Sequence, residues 1–123
     1  MTNFDSPLMV LVAGGTGGHV YPALALALEM RHRGLRIAWL GTNDGLEIKV
    51  ASDEEIPFYG LPVIGLRGKS LTKKIIASFM ILVSLFQAIY FIRRLNPSCV
   101  LGMGGYASVP GAIAAWLLRK PLL

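Results

Sequence analysis

Six consecutive residues near the N-terminus, GGTGGH at 14–19, combine an anion-binding pattern with a possible base. Glycines let the backbone turn tightly and approach a ligand, and the helix predicted to start near residue 20 would direct unpaired N–H groups at a negative charge. His19 could act as a general base near neutral pH, because a helix N-terminus disfavours the protonated imidazole. A purely structural histidine fits the same position.

A second glycine-rich segment, GMGGY at 102–106, also precedes a predicted helix. Two such loops at one crevice suit a diphosphate, or a diphosphate-linked sugar, better than a single phosphate. The first segment is neither a dinucleotide fingerprint, since Val20 stands where a third glycine is needed, nor a P-loop. The acidic residue that binds a ribose after the second strand is also missing, because Gly41 and Thr42 stand there and Asp44 comes slightly late. An NAD-binding module and a tight turn without a ligand remain as alternatives.

The elements that must position these loops alternate between strand and helix. Apolar runs predict strands at 8–13, 35–40, 56–61 and 98–102, with residues 121–123 opening a fifth, and helices are predicted at about 20–33, 45–55, 71–95 and 109–120. This alternation predicts an α/β fold with a doubly wound parallel sheet in the order 3-2-1-4-5. Strands 1 and 4 are then neighbours, and both glycine loops leave the sheet where open α/β sheets bind ligands.

Several residues have types and positions typical of helix ends. Pro22 suits the first turn of the first helix, and Gly34 suits the position just after its last turn. Asp44 and Glu47 have the spacing of a capping box at the start of the second helix. Pro97 predicts that the third helix ends just before it.

Composition and charge narrow the classes of function. The chain has 123 residues, enough for one domain, and its 54% hydrophobic and 15% charged residues exclude intrinsic disorder and suggest membrane contact. All seven acidic residues lie within 1–55, whereas eight basic residues and no acidic one follow residue 55. This second half is suited to an anionic partner. Nucleic acid is not expected, because the basic residues flank an apolar run and do not alternate with aromatic residues.

The single cysteine, Cys99, excludes a disulfide framework and suits a reducing compartment. We expect it to be a small buried residue. The first seven residues hold no basic residue, and the apolar run after them is too short for a signal peptide. We therefore expect the chain to stay on the cytoplasmic side.

The run from residue 75 to 92 holds 18 uncharged residues between Lys73 and Lys74 on one side and Arg93 and Arg94 on the other. A transmembrane span, an ordinary buried helix and a helix lying on a membrane surface are all compatible with it. We favour a helix that lies half in the core and half against the bilayer, because a crossover helix must bury one face on the sheet. Its basic ends would attract anionic lipid.

The segments GGTGGH at 14–19, GLRGK at 65–69 and LGMGGYAS at 101–108 resemble, in order and spacing, the N-terminal domain of the MurG family of peptidoglycan N-acetylglucosaminyltransferases. The resemblance extends from about residue 8 to the end. It implies a GT-B glycosyltransferase fold of two Rossmann-like domains, of which residues 1–123 would be the N-terminal domain that binds the acceptor and the membrane. The donor-binding domain would not be in this chain, so we expect negligible transferase activity from the chain alone.

The resemblance also implies a reaction: inverting transfer of N-acetylglucosamine from UDP-N-acetylglucosamine to the 4-hydroxyl of the muramoyl sugar of lipid I, which forms lipid II. The enzyme would lie peripherally on the cytoplasmic face of the bacterial inner membrane, against its anionic surface. Neither a cofactor nor an essential metal is implied. The alternative is a membrane-associated nucleotide-binding or interaction module without catalysis.

Individual residues take roles only through this resemblance. Thr16, Gly17 and Gly18 match positions near the donor diphosphate, and His19 matches the candidate catalytic base for the acceptor hydroxyl. A second set, Gly104, Gly105 and Tyr106, matches the loop that holds the acceptor diphosphate. The membrane patch would comprise Lys73, Lys74, Ile75, Phe79, Leu82 and Trp116.

Overall fold

The computed structural model describes residues 7–14, 17–42, 46–62, 70–103 and 108–122, without the side chains of residues 17–19 and 108. Strands and helices alternate in these ranges as predicted. The elements are β1 (Leu8–Val12), α1 (Gly17–His32), β2 (Arg36–Thr42), α2 (Glu47–Asp53), β3 (Phe58–Leu61), α3 (Leu71–Leu95), β4 (Cys99–Gly102) and α4 (Ser108–Leu117).

The four strands form one parallel sheet in the order β3-β2-β1-β4. Leu122 makes an isolated parallel bridge to Val100 of β4, so the chain enters the fifth position of the predicted order. Because β1 pairs with β4 on one side and β2 on the other, the sheet changes winding direction between β1 and β4. The predicted order and switch point are confirmed.

Helices cover both faces of the sheet, and the side chains of β1 show how. Its alternate residues Leu8, Val10 and Val12 pack in a core cluster with α3 and α4. Met9 and Leu11 point to the other face, into a cluster with α1 and α2. A strand buried on both faces needs a continuous apolar run, which is the pattern that predicted it.

The first helix differs from its prediction at one end. α1 begins at Gly17, so Pro22 lies inside the helix and not in its first turn. A proline there has no N–H for the carbonyl of residue 18, so this helix lacks one internal bond. At the other end Gly34 has φ +97° and donates its N–H to the Arg31 carbonyl, while Leu35 donates to Met30. This is the glycine-terminated helix end that the sequence predicted.

The third helix has the predicted bounds. The Ser70 side chain accepts from the Lys73 N–H at its start, and Asn96, at φ +47°, ends it before Pro97. By length and composition α3 could cross a membrane, yet it differs from a core helix because only 22% of its apolar window is buried. Its buried residues Ala88 and Ile92 pack on the sheet side, and Ala77 is buried as well.

Cys99 is half-buried at the start of β4. Burial raises the pKa of its thiol above the ordinary value. The thiol therefore stays protonated at neutral pH, as expected of a packing residue.

Replacing Ser84 with alanine should stabilise the chain. Its hydroxyl is fully buried in α3 and has no hydrogen-bond partner within the part of the chain that the structure describes. Removing an unsatisfied hydroxyl should raise the free energy of unfolding by about 1 kcal/mol, measurable by urea denaturation. Ser78→Ala in the same helix is the control, because that exposed hydroxyl already donates to the Lys74 carbonyl at 2.9 Å. Equal effects of the two substitutions would refute the explanation.

Candidate functional site

The candidate site lies at the edge of the sheet where the parallel strands end. Val12 and Gly102 are register partners at the ends of β1 and β4. The Met103 N–H donates to the Val12 carbonyl at 2.9 Å, and the Ala13 N–H donates to the Leu40 carbonyl at 3.2 Å. Both glycine-rich segments therefore leave from adjacent strands at the switch point, as the sequence predicted.

All four helices that the structure describes begin at this edge, because each returns antiparallel to the strands. α1 and α4 follow the two glycine-rich segments, α3 lies beside α4, and α2 follows β2. The first turns of α1, α3 and α4 hold no acidic residue, and that of α3 carries Lys73 and Lys74. The first turn of α2 holds Glu47, which is fully buried and bonded to Thr42. Helix N-termini and lysines both favour negative charge. The edge is electrostatically suited to an anionic ligand.

The sequence-predicted residues of the two loops are only partly described. Gly17, Gly18 and His19 form the first turn of α1, so the backbone of His19 is at the site edge and its side chain lies outside the description. Thr16 and the second-loop residues Gly104, Gly105 and Tyr106 lie outside the described residues. Their roles remain predictions.

The start of the first glycine loop is held by a side chain that the sequence analysis did not single out. Trp39 is fully buried in β2, and its indole Nε1–H donates to the Ala13 carbonyl at 2.9 Å. With the bond from Ala13 to Leu40, both backbone groups of Ala13 are fixed. The last residue before the glycines thus has a defined position.

Glu47 has a different partner from the one that the sequence analysis assigned to it. The capping-box prediction is wrong: the residue before α2 is Leu46, no side chain caps this helix, and Asp44 lies outside the described residues. Glu47 instead turns back to β2, where its Oε1 accepts from the Thr42 N–H at 2.7 Å and the Thr42 hydroxyl at 2.6 Å. Gly41, a glycine inside an apolar strand, was the available signal for such a close approach.

This carboxylate also bears on the dinucleotide alternative. Glu47 lies at the end of β2, where a nucleotide-binding fold places the acid for a ribose. It is fully buried and bonded to Thr42, so it has no surface to offer a ribose. The arrangement disfavours an NAD-binding module.

Gly41→Ala should destabilise the chain by about 1 to 3 kcal/mol. A Cβ at residue 41 would lie 2.6 Å from Glu47 Cγ and 3.0 Å from the Ala13 carbonyl oxygen. Its φ is not positive, so the cost comes from crowding and not from the backbone conformation. Urea denaturation measures the change. The cost should shrink in a Glu47→Ala background, and an equal cost in both backgrounds would contradict the proposed clash.

A second candidate surface runs along the outer side of α3 and α4. The predicted membrane residues are all exposed there, with Phe79 at 62% and Trp116 at 72%. Ile75, Phe79 and Leu82 are spaced along one face of α3, and Lys73 and Lys74 stand at its start. The prediction of this patch missed further exposed apolar residues, namely Leu71, Ile76, Phe86, Tyr90, Val109, Ile113 and Leu117.

A cavity of about 380 Å³ lies away from both surfaces. Residues that begin the strands line it, among them Leu8, Arg36 and Pro57. It therefore opens at the sheet edge opposite the glycine-rich segments. No cluster of three or more His, Cys, Asp or Glu side chains that could hold a metal occurs within the described ranges.

Comparison with known proteins gives consistent matches. The model of the glycosyltransferase family 28 N-terminal domain matches residues 9–123. A UDP-N-acetylglucosamine--N-acetylmuramyl-(pentapeptide) pyrophosphoryl-undecaprenol N-acetylglucosamine transferase of Alkalilimnicola ehrlichii is 51% identical over 94% of this chain and 32% of its own length. The enzyme of the same name from Marinobacter nauticus is 44% identical over the whole chain and 34% of its own length.

A solved structure supports the same match. The crystal structure of Acinetobacter baumannii MurG superposes with a TM-score of 0.83 at 39% identity, over 94% of this chain and 34% of that one. This chain thus spans about a third of the length of the relatives it matches.

Proposed function

The chain belongs to glycosyltransferase family 28, whose N-terminal domain covers residues 9–123, and from this we propose that it forms the acceptor-binding part of an N-acetylglucosaminyltransferase. The donor would be UDP-N-acetylglucosamine, and the acceptor would be lipid I, the pyrophosphoryl-undecaprenol substrate in the name of its relatives. The resemblance drawn from the three glycine-containing segments is confirmed. The observation that best supports this proposal is that both glycine-rich segments follow the ends of adjacent strands, β1 and β4.

The geometry of this edge supports the proposed substrates, because both carry a diphosphate. Three of the four helices that begin there have no acidic residue in the first turn, and α3 adds Lys73 and Lys74, which favours a negatively charged ligand. Backbone N–H groups at helix starts bind phosphate oxygens and cost little reorganisation. Thr16, Gly17 and Gly18 would contact the donor near its diphosphate, while Gly104, Gly105 and Tyr106 would hold the acceptor diphosphate.

His19 is proposed as the general base of the transfer. An inverting transfer needs a group that removes the proton from the attacking 4-hydroxyl of the acceptor as the bond to the anomeric carbon forms and UDP leaves. His19 lies in the first turn of α1 at the site edge. The positive end of a helix disfavours the protonated form of an imidazole, and only the neutral form can accept the proton.

The outer side of α3 and α4 is proposed to lie on the anionic cytoplasmic face of the inner membrane. Aromatic and aliphatic residues are exposed along it, with Lys73 and Lys74 at one end and Arg93 and Arg94 at the other. Apolar area on one face with basic residues at its margins is the pattern of a helix that lies in the membrane interface. The packing of Ala88 and Ile92 on the sheet side favours this over a span.

The test is transfer of labelled N-acetylglucosamine from UDP-N-acetylglucosamine to a lipid I analogue. The chain is assayed alone, and as a fusion in which it replaces the matching segment of the Alkalilimnicola ehrlichii relative. We expect transfer by the fusion and none by the chain alone, because transfer requires both substrates to be held in line. An inactive fusion that is folded and binds vesicles would refute the proposed transfer and favour a membrane-associated interaction module.

A further inference from the structure

Glu47 is a fully buried carboxylate at the edge where the candidate site lies. Its neighbours in α2, Ile48 and Lys49, are exposed, so α2 lies at the surface and Glu47 is buried because its side chain turns inward. A buried carboxylate is unfavourable unless its oxygens are hydrogen-bonded. A fully buried carboxylate in a two-turn surface helix therefore has to find its hydrogen-bond partners inside the fold.

The carboxylate is held firmly by the end of β2. Its Oε1 accepts from both the N–H of Thr42 at 2.7 Å and the hydroxyl of Thr42 at 2.6 Å. Hydrogen bonds to an ionised acceptor are shorter and stronger than neutral ones. Thr42 therefore fixes the Glu47 side chain relative to the sheet.

The same side chain contacts the first residue of the glycine-rich segment. A Cβ at Gly14 would lie 2.5 Å from Glu47 Oε1 and 3.2 Å from its Cδ. Only a residue without a side chain fits between this carboxylate and the end of β1. Gly14 also follows Ala13, whose carbonyl is held by Trp39.

We propose that Glu47 is a positioning residue for the first glycine loop, acting through its contact with Gly14 and its bonds to Thr42. The carboxylate packs against Gly14 and so fixes where the chain leaves β1 on its way to the first turn of α1, whose N–H groups would meet a ligand diphosphate. The proposal rests on the proposed function, which makes this loop a ligand-binding element. Glu47 itself touches neither substrate, because it is fully buried.

The first experiment measures kinetics in the transferase fusion. Glu47→Ala should lower kcat by about 100-fold, because displacement of a catalytic element by about 1 Å has effects of that size. Glu47→Gln, which keeps the size and one acceptor oxygen, should lower kcat by about tenfold with the KM for donor changed less than about threefold. Glu54→Gln is the control, since Glu54 lies just after α2 with its side chain 40% exposed and pairs with Arg31 at 3.7 Å, away from Thr42. A purely structural role would lower stability and leave kcat of the folded fusion unchanged.

Variants of Thr42 test whether the contact between Thr42 and Glu47 matters, because they leave the Glu47 carboxylate in place. Thr42→Ser keeps both donors to Oε1 and should retain kcat within about threefold, whereas Thr42→Val removes the hydroxyl donor and should lower kcat as Glu47→Gln does. The double variant Glu47→Gln/Thr42→Val should then be no worse than about the larger single effect, because both act on one contact. If the double variant lowers kcat by the product of the two single effects, the two residues act independently and the proposal is overturned.

A second experiment does not depend on transfer. In the 123-residue chain, Glu47→Gln should shift the backbone amide resonances of Gly14 and the glycines after it, while Glu54→Gln should not. Shifts confined to Thr42 and α2 would overturn the positioning role. If the unsubstituted fusion is inactive, the proposed function fails and these amide shifts still decide whether Glu47 positions the loop.

Discussion

His19→Ala is expected to lower kcat of the transferase fusion by about 10²- to 10⁴-fold, the range that general base catalysis contributes. The KM for UDP-N-acetylglucosamine should change by less than about threefold, because the base acts on the acceptor hydroxyl in the transition state and not on the bound donor. Steady-state kinetics with a lipid I analogue measures both constants.

The control for His19 is His32→Ala in the same helix. His32 is exposed in the last turn of α1, at the opposite end from the site, so its loss should leave kcat within about twofold. Thermal denaturation of both variants confirms that each is folded. An unchanged kcat for a folded His19→Ala fusion would remove the general-base role and leave the histidine a structural residue.

Replacing Lys73 and Lys74 together with glutamate should weaken binding to anionic vesicles by at least about 30-fold. Each basic residue near an anionic surface contributes about 1 kcal/mol to the binding free energy. Removing two therefore costs about 2 kcal/mol of binding, before any repulsion from the new carboxylates. Co-sedimentation of the chain with vesicles that contain phosphatidylglycerol measures the change, and added salt should reduce the difference.

A matched control carries the same change in net charge on the other side of the sheet. Arg33, just after α1, and Lys49, on α2, are both exposed, so Arg33→Glu with Lys49→Glu should leave vesicle binding nearly intact. Equal losses in both double variants would indicate attraction by net charge alone. No loss in either would point to α3 as an ordinary packed helix whose exposed face meets something other than lipid.

Much of the fold follows from local patterns. The apolar run at 8–13 predicted β1 because a strand buried on both faces cannot alternate with polar residues. The bounds of α3 were predicted at both ends, because Pro97 excludes continuation and the apolar run begins just after the loop. The start of α1 was missed by three residues, since Gly17 and Gly18 favour turns in isolation and enter the helix only in the folded chain.

Side chains that act across the sheet were not predictable in the same way. Glu47 had the right spacing for a capping box, a local interaction, yet its carboxylate bonds to Thr42 of the neighbouring strand. In the sequence Trp39 is one more apolar residue of a strand. Only the packed sheet shows that its indole N–H donates to the Ala13 carbonyl. Ser84 read as a polar interruption of an apolar helix, whereas the structure places its hydroxyl in the core without a described partner.

The sequence by itself determined the order of strands and helices, the adjacency of the two glycine-rich segments and the resemblance to one family, because these depend on residue types at short spacing and on the handedness of crossovers. Tertiary structure decided which side of α3 is exposed and which groups hold the base of the first loop. Those outcomes depend on contacts between elements distant in the chain, such as Trp39 with Ala13. The 3.6-residue period of a helix so apolar all round does not select a buried face until the sheet packs against it.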